Sequence, residues 1–148
     1  MKKKIGIIVL VLLLLILAGG GAAFYYYYSK YINIDVIYPG VKIQGMSVGK
    51  MTQEEAKAKV QEYVDSVSQE TVTLQVRKKE SSFPLSDIGL KCTNMNVIEE
   101  AYNLGKTGNV FKRVMEVRKL EKEGTDFPLT FSVDKAQTRK IVKKKGKK

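Results

Sequence analysis

The chain begins with its longest apolar segment. Residues Ile5 to Phe24 form a run of 20 positions without a charged side chain, and about 20 helical residues span the roughly 30 Å hydrocarbon core of a membrane. Three lysines precede the run and four tyrosines, Tyr25 to Tyr28, follow it. The pattern predicts a transmembrane anchor at 5–28, with residues 1–4 in the cytoplasm and the rest of the chain outside.

A cleaved signal peptide is the alternative for this segment. The small residues Gly21 to Ala23 would suit a cleavage site. The length of the apolar run and the tyrosines behind it favour an uncleaved signal-anchor at the cell membrane. Both alternatives place the remaining chain outside the cytoplasm.

The exported part alternates between two periodicities. After a linker expected at 29–38, period-two alternation predicts strands and 3.6-residue periodicity predicts helices, in the order β-α-β-β-α-α-β. The predicted strands are VKI (41–43), TVTLQVR (71–77), FPLS (83–86) and FPLTFSV (127–133), with a turn at KKESS. This mixture predicts one small α+β domain at 39–134, followed by a basic tail at 135–148.

Polar residues mark where the predicted helices begin and end. Thr52 and Glu55 have the spacing of a capping box, ahead of a helix with the apolar stripe Ala56, Val60, Tyr63, Val64 and Val67. Asn94 or Asn96 is expected to cap the second helix, which Gly105 ends. Asn109 is expected to cap the third, with an inward face of Val110, Phe111, Val114 and Met115.

The net charge of +11 is concentrated at the ends of the chain. Residues 1–4 carry three lysines and residues 135–148 carry eight Lys and Arg, whereas 5–134 carry 15 of each sign. Nucleic-acid binders usually place their charge on a folded face, so we expect no nucleic-acid partner. The tail is a solvated disordered end, a contact for anionic wall polymers, or a contact for the anionic membrane surface.

Residue types exclude several chemistries. The chain has no histidine and one cysteine, Cys92, so histidine triads, histidine metal sites and intrachain disulfides cannot form. We expect Cys92 to be a small buried apolar residue. Adjacent Glu99 and Glu100 point different ways on a helix, and Glu54 and Glu55 suit a helix first turn. We therefore expect no enzyme activity, metal or cofactor.

The stretch GMSVGKMT at 45–52 is close to a phosphate-binding loop. Such a loop needs four residues between its first glycine and Gly-Lys, but only Met46, Ser47 and Val48 separate Gly45 from Gly49. Met51 also stands where Ser or Thr should follow the lysine. The stretch is therefore expected to be a turn before a capped helix.

Two blocks resemble a known family. They are YPGVKIQGMSVGKMTQEEA and LSDIGLKCTNMNVIEEAYNLGKTGN, and they resemble a peptidoglycan-binding domain of Gram-positive bacteria over roughly residues 38–134. That domain occurs ahead of L,D-transpeptidase domains of the YkuD type and in VanW-type and YoaR-like exported proteins. The resemblance implies peptidoglycan as a partner.

The catalytic half of such proteins is not found here. An L,D-transpeptidase needs a cysteine and a histidine in a downstream domain, and this chain has no histidine. The sequence predicts a non-catalytic, membrane-anchored binding module. The alternatives are the N-terminal part of an L,D-transpeptidase or VanW-type protein, and an extracytoplasmic scaffold for wall enzymes.

Four residues of AYNLGKTGNVFKR are candidate ligand contacts. Aromatic rings stack on sugars, and cations pair with peptide carboxylates. Tyr102, Lys106, Asn109 and Arg113 could form a polar rim around the turn between two helices. The alternative is that Tyr102 packs into the core and Asn109 serves only as a helix cap.

Overall fold

A computed structural model of the chain describes residues 2–76 and 79–146. The fold is α+β, as the sequence predicts. The helices are α1 (Lys2–Tyr27), α2 (Gln53–Gln69), α3 (Val97–Asn103), α4 (Val110–Glu123) and α5 (Lys135–Gly146). The strands are β1 (Val41–Ile43), β2 (Met46–Ser47), β3 (Thr71–Val76), β4 (Lys79–Pro84), β5 (Lys91–Cys92), β6 (Thr125–Phe127) and β7 (Phe131–Ser132). Short helical turns occupy Tyr28–Ile32 and Leu85–Ile88.

Helix α1 contains the predicted apolar run. Among the described residues it is the one helix long and apolar enough to cross a membrane, and its apolar stretch is not buried by other parts of the protein. It continues without a break into a π-helical turn at Tyr28–Ile32. A helix coated with exposed leucine, isoleucine and valine suits an apolar environment, which the described residues do not supply around it.

The segment expected as a linker is packed into the domain. Ile32, Ile37 and Tyr38 have no exposed surface. The backbone N–H of Ile37 donates to the carbonyl of Met51 at 2.8 Å, and the N–H of Lys50 donates to the carbonyl of Ile37 at 2.8 Å. The folded unit therefore starts at the π-helical turn, because these buried apolar side chains would otherwise face water.

The central sheet joins distant parts of the chain. Strand β1 is antiparallel to β2 and parallel to β6, with Val41 opposite Thr125. Val41 and Ile43 are fully buried, while Lys42 between them is exposed, as the alternating pattern predicts. Behind β1, Gly40 has φ +86° and lies against the end of α4.

Helix α2 covers one side of the core, and its predicted start is confirmed. The Thr52 hydroxyl accepts from the N–H of Glu55 at 3.2 Å, and the Glu55 carboxylate accepts from the N–H of Thr52 at 2.8 Å. Both partners of the capping box are therefore satisfied. Ala56, Val60 and Val64 are buried along one face, as predicted.

The β3–β4 hairpin differs from the predicted turn and strand. β3 and β4 pair antiparallel from Thr71 opposite Pro84 to Val76 opposite Lys79. The predicted turn KKESS therefore lies largely within β4, and its first lysine lies outside the described residues. Polar residues therefore extend β4 beyond the predicted strand.

The predicted strand 127–133 is wrong as a single element. It is two strands, since Pro128 has no N–H for a ladder and the chain changes sheets there. The N–H of Leu129 donates to Gln44 Oε1 at 2.8 Å, and the N–H of Thr130 donates to Asn94 Oδ1 at 2.7 Å. β6 pairs with β1, whereas β7 pairs with β5.

These bonds also correct the predicted cap of α3. The Asn94 side chain holds the β6–β7 connection, donating to the Pro128 carbonyl at 2.9 Å. Asn96 occupies the position before the helix but makes no side-chain capping bond; its amide donates to Glu100 instead. Neither asparagine caps α3 through its side chain.

The inward face predicted for α4 is largely wrong. Phe111 is 76% exposed and Met115 is 55% exposed, with Val110 also exposed. The buried residues are Val117 and Leu120. The helix is rotated because Arg113 points towards the domain and makes hydrogen bonds there, as described below.

The basic segment after residue 134 contains helix α5. The Asp134 carboxylate accepts from the N–H groups of Ala136 at 2.7 Å and Gln137 at 3.0 Å, and these bonds lower the pKa of Asp134. The helix packs against the turn at Leu85–Ile88. The structure thus has a helix where a disordered end was one alternative.

Candidate functional site

The predicted site residues lie where α3, α4 and the segment after α1 meet. Helix α3 ends after Asn103, and Gly105 follows with φ +76°. A Cβ at Gly105 would lie 3.0 Å from the Tyr38 ring, so a glycine permits this close packing. The tight turn brings Lys106 back over Tyr102 and starts α4 at Val110.

Arg113 connects α4 to the π-helical turn. Its Nη1 donates to the Tyr28 hydroxyl at 2.7 Å and its Nη2 donates to the Ile32 carbonyl at 2.7 Å. Its Nε donates to the Gly105 carbonyl at 3.4 Å. The fixed fork of a guanidinium suits several acceptors at once. Arg113 therefore joins the π-helical turn to the domain, and its donors are largely occupied by the protein itself.

Tyr38 lies beneath the same junction. Its hydroxyl donates to the Ile32 carbonyl, which also accepts from Arg113. Burial raises the pKa of Tyr38, partly offset by the neighbouring Arg113. A buried phenol with a satisfied hydroxyl fixes the position of the main chain at Ile32.

Tyr102 and Lys106 form the half-buried part of the cluster. The Tyr102 hydroxyl donates to Asp35 Oδ1, and this hydrogen bond raises the pKa of the phenol. Lys106 Nζ lies 3.2 Å from the centre of the Tyr102 ring, a cation–π arrangement. The Arg113 charge is close enough to lower the pKa of Lys106. Three of the four predicted residues, Tyr102, Lys106 and Arg113, are therefore neighbours.

The Lys106 ammonium group is left without a conventional partner. Its nitrogen is closed off from solvent and has no hydrogen-bond acceptor among the described residues. Desolvation lowers the pKa of Lys106; the Asp35 charge opposes this shift and Arg113 adds to it. An ammonium held in this way gains most from an added carboxylate or other anion.

Asn109 stands apart from the other three. Its side-chain oxygen accepts from the N–H of Lys112 at 2.8 Å, which caps α4. The cap was predicted from the sequence and is confirmed. Its side chain is exposed but already used, so it contributes less to a ligand rim than Tyr102 and Lys106.

Three contributors to the cluster were missed in the sequence. Asp35, Tyr28 and Tyr38 belong to segments expected as a linker and an aromatic belt. Tyr38 carries a signal, since it begins the first block of the resemblance. Tyr28 resembles three neighbouring tyrosines, and nothing local distinguishes it.

Other candidate chemistry finds no support in the geometry. Cys92 is half-buried in β5, and its Sγ lies 3.6 Å from Asn94 Oδ1. Lys50, the lysine of the loop-like stretch, is exposed with φ +68°. Within residues 2–76 and 79–146, no group of three or more acidic, cysteine or histidine side chains could hold a metal ion.

Comparison with known proteins bears on the segment that carries these residues. Residues 81–148 match the family model described as "Putative peptidoglycan binding domain". The match supports the resemblance at the level of the family for the second block, and the first block, at 38–56, lies outside it. It includes Tyr102, Lys106, Asn109 and Arg113. Comparisons with curated proteins and with solved structures find no match.

The match and the folded unit have different boundaries. The region matching the peptidoglycan-binding family begins in β4 and includes α5. Strand β1, which pairs with β6, and helix α2 lie before it. Asp35, Tyr28 and Tyr38 also lie outside the match, so half of the cluster comes from the N-terminal segment. Experiments that test the cluster therefore need the whole chain and not residues 81–148 alone.

A pH titration tests the environment of Lys106. Native Lys106 releases its proton at lower pH than an unfolded lysine, whose pKa is about 10.4. Between these two values the unfolded chain binds more protons, so this residue makes the free energy of unfolding rise with pH. We expect the stability of the wild type relative to Lys106→Met to increase as the pH rises from neutral to about pH 10, measured by urea unfolding.

Lys112→Met is the control for this titration, because it removes a lysine charge whose side chain is 59% exposed. The comparison stops near pH 10 because Tyr38 and Tyr102 have raised pKa values. Above that pH the native state retains protons that unfolded tyrosines lose, which lowers stability. A relative stability of Lys106→Met that is flat over this range would contradict the prediction.

Proposed function

We propose that this protein is a membrane-anchored module that binds peptidoglycan outside the cytoplasm and has no catalytic activity of its own. The observation that carries the proposal is the match of residues 81–148 to a peptidoglycan-binding family, on a domain joined directly to an apolar helix. α1 would hold the domain at the membrane surface, and the domain would dock on wall material.

The charge distribution around α1 supports the proposed orientation. Lys2, Lys3 and Lys4 precede the apolar run, while Lys30 is the one basic residue in the ten positions after Tyr28. Lysine and arginine accumulate on the cytoplasmic side of single spans. This asymmetry supports an external domain, which is where peptidoglycan lies.

The cluster at Tyr102 supplies chemistry suited to the peptide part of peptidoglycan. Stem peptides carry carboxylates and amines. Lys106 lacks a hydrogen-bond acceptor among the described residues, and Asp35 presents a carboxylate beside it. A carboxylate of the ligand would pair with Lys106 after its side chain rotates off the Tyr102 ring. The exposed ligand amine would then face Asp35.

The absence of catalysis is supported by residue types. The sequence contains no histidine, which is the usual base for activating a cysteine or serine nucleophile. Cys92 is half-buried, and its neighbour within bonding distance is the Asn94 amide oxygen. An amide cannot act as a general base at neutral pH.

A sedimentation assay tests the proposed function. The full chain, purified in detergent, is mixed with insoluble peptidoglycan and centrifuged. We expect the protein in the pellet at low salt, with binding weakened by roughly tenfold in Lys106→Met, since one charge-assisted bond is worth about 1.4 kcal/mol or more. Protein that stays in the supernatant at low salt would overturn peptidoglycan binding.

Lys112→Met serves as the matched control, because it removes the same charge six residues away on an exposed side chain. It should bind within about twofold of the wild type. An equal loss of binding in both variants would mean that binding depends on the overall positive charge of the protein. That result would exclude the cluster as the binding site.

A further inference from the structure

An exposed stripe on α4 has no partner among the described residues. Phe111 is 76% exposed and Met115 is 55% exposed. Because they are four residues apart, they lie on one face of the helix. Arg118 and Lys122 continue that face at helical spacing and are also exposed. We call these four residues the α4 stripe; it is apolar at its first turn and basic at its last.

The start of α4 is held beside the end of the apolar helix. Arg113 bonds to the Tyr28 hydroxyl, and its guanidinium carbon lies 5.5 Å from the Tyr28 ring centre. Phe111 lies two residues before Arg113, about 3 Å along the helix axis. Tyrosines that follow a span lie at the headgroup level. This contact therefore keeps the first turn of α4 close to the membrane interface.

The composition of the stripe matches a lipid surface. Interfacial helices place Phe, Leu or Met at the acyl boundary and basic residues among anionic headgroups. The α4 stripe contains two apolar residues, two basic residues and no acid. An exposed phenylalanine and methionine would otherwise cost free energy in water.

We propose that the α4 stripe docks on the outer leaflet of the membrane, with Phe111 and Met115 among the lipid headgroups and Arg118 and Lys122 on anionic lipid. The proposal rests on the anchoring of α1 in the same membrane. It adds a second contact, which fixes how the domain is oriented on the surface. The Tyr102–Lys106 cluster, which adjoins the Arg113–Tyr28 junction, is then held in one orientation relative to the bilayer.

The chain has no tryptophan, so one introduced residue gives an unambiguous fluorescence signal. The test uses Phe111→Trp in the full chain, reconstituted in phosphatidylcholine–phosphatidylglycerol vesicles with brominated acyl chains as quencher. We expect quenching at least about twofold stronger than for Gln61→Trp. Gln61 lies on the exposed face of α2 and serves as the water-facing control.

Leu14→Trp, in the middle of α1, separates the two proposals. If Leu14→Trp is quenched and Phe111→Trp matches Gln61→Trp, the anchor stands and docking of the stripe is overturned. If Leu14→Trp is not quenched, the anchor fails and the docking fails with it. Met115→Trp is the second reporter of the stripe and should behave as Phe111→Trp does.

A glycan is the competing occupant, because sugars also stack on exposed rings. Soluble peptidoglycan fragments are added to the Phe111→Trp protein in detergent without lipid. A saturable emission change there, together with no quenching in vesicles, would assign Phe111 to the wall ligand and overturn the proposal. Quenching by brominated lipid that fragments leave unchanged would support it.

Discussion

Gly40→Ala is expected to lower the free energy of unfolding by about 4 kcal/mol. Gly40 has φ +86°, and a methyl group there would overlap the carbonyl oxygen of Leu120. Its own carbonyl accepts from the N–H of Thr125 at 3.0 Å, beside the β1–β6 pairing. Both the backbone strain and the overlap act where the first and last parts of the domain meet.

Gly45→Ala separates the two contributions. Gly45 has φ +75°, but nothing lies within 4 Å of an added Cβ. It should therefore lose only the strain, about 1–2 kcal/mol. Urea unfolding of the full chain in detergent, followed by near-ultraviolet circular dichroism, measures both variants. Equal losses would show that α4 can move away from Gly40 and would contradict the tight packing described here.

Arg113→Ala is expected to lower the free energy of unfolding by about 2–4 kcal/mol. The change removes the donors to Tyr28, Ile32 and Gly105. The Ile32 carbonyl is buried with its residue and would keep one of its two donors, the Tyr38 hydroxyl. Loss of the fork should also loosen the π-helical turn at Tyr28–Ile32.

Arg113→Lys is expected to recover only part of this loss, because one ammonium cannot replace a planar fork reaching three acceptors. Lys119→Ala removes a charge from the same helix where the side chain is 73% exposed, and it should change stability by less than about 0.5 kcal/mol. If Arg113→Ala unfolds at the same urea concentration as Lys119→Ala, the junction does not contribute as described.

Elements with a continuous local pattern were predictable from the sequence. The apolar run predicts α1, and the capping box with its stripe predicts α2, because the local signals in each segment agree with one another. The strand at 41–43 and the Asn109 cap also follow from their neighbours. In each case the signal lies within about one helical turn or one strand of the residue concerned.

The remaining elements depend on contacts that no local pattern shows. Phe127 to Val133 alternate well, yet Pro128 and the bond from Leu129 to Gln44 divide them between two sheets. α4 presents its arginine to the domain and its phenylalanine to solvent, the reverse of the usual preference. That orientation follows from acceptors on residues 81 and 85 positions earlier in the chain.

The candidate site was predictable only in part, because some of its residues have a local signal and others are brought in by distant contacts. The spacing of Tyr102, Lys106 and Arg113 around a glycine turn places them together, and the structure does bring them together. Asp35, which binds Tyr102 across 67 residues, has no local signature. The site therefore combines a recognisable turn with a segment that only the folded chain reveals.

The packing of residues 29–38 limits how far the domain can move from the end of α1. A free linker of ten residues could extend about 33 Å, which would let a tethered module sample several layers of wall. Because Ile32, Ile37 and Tyr38 are buried in the domain, the segment cannot extend in this way while the domain is folded. For a chain held by α1, every ligand contact lies within about 35 Å of the lipid, roughly one domain diameter. Such a module would meet newly made strands at the membrane and not the mature outer wall.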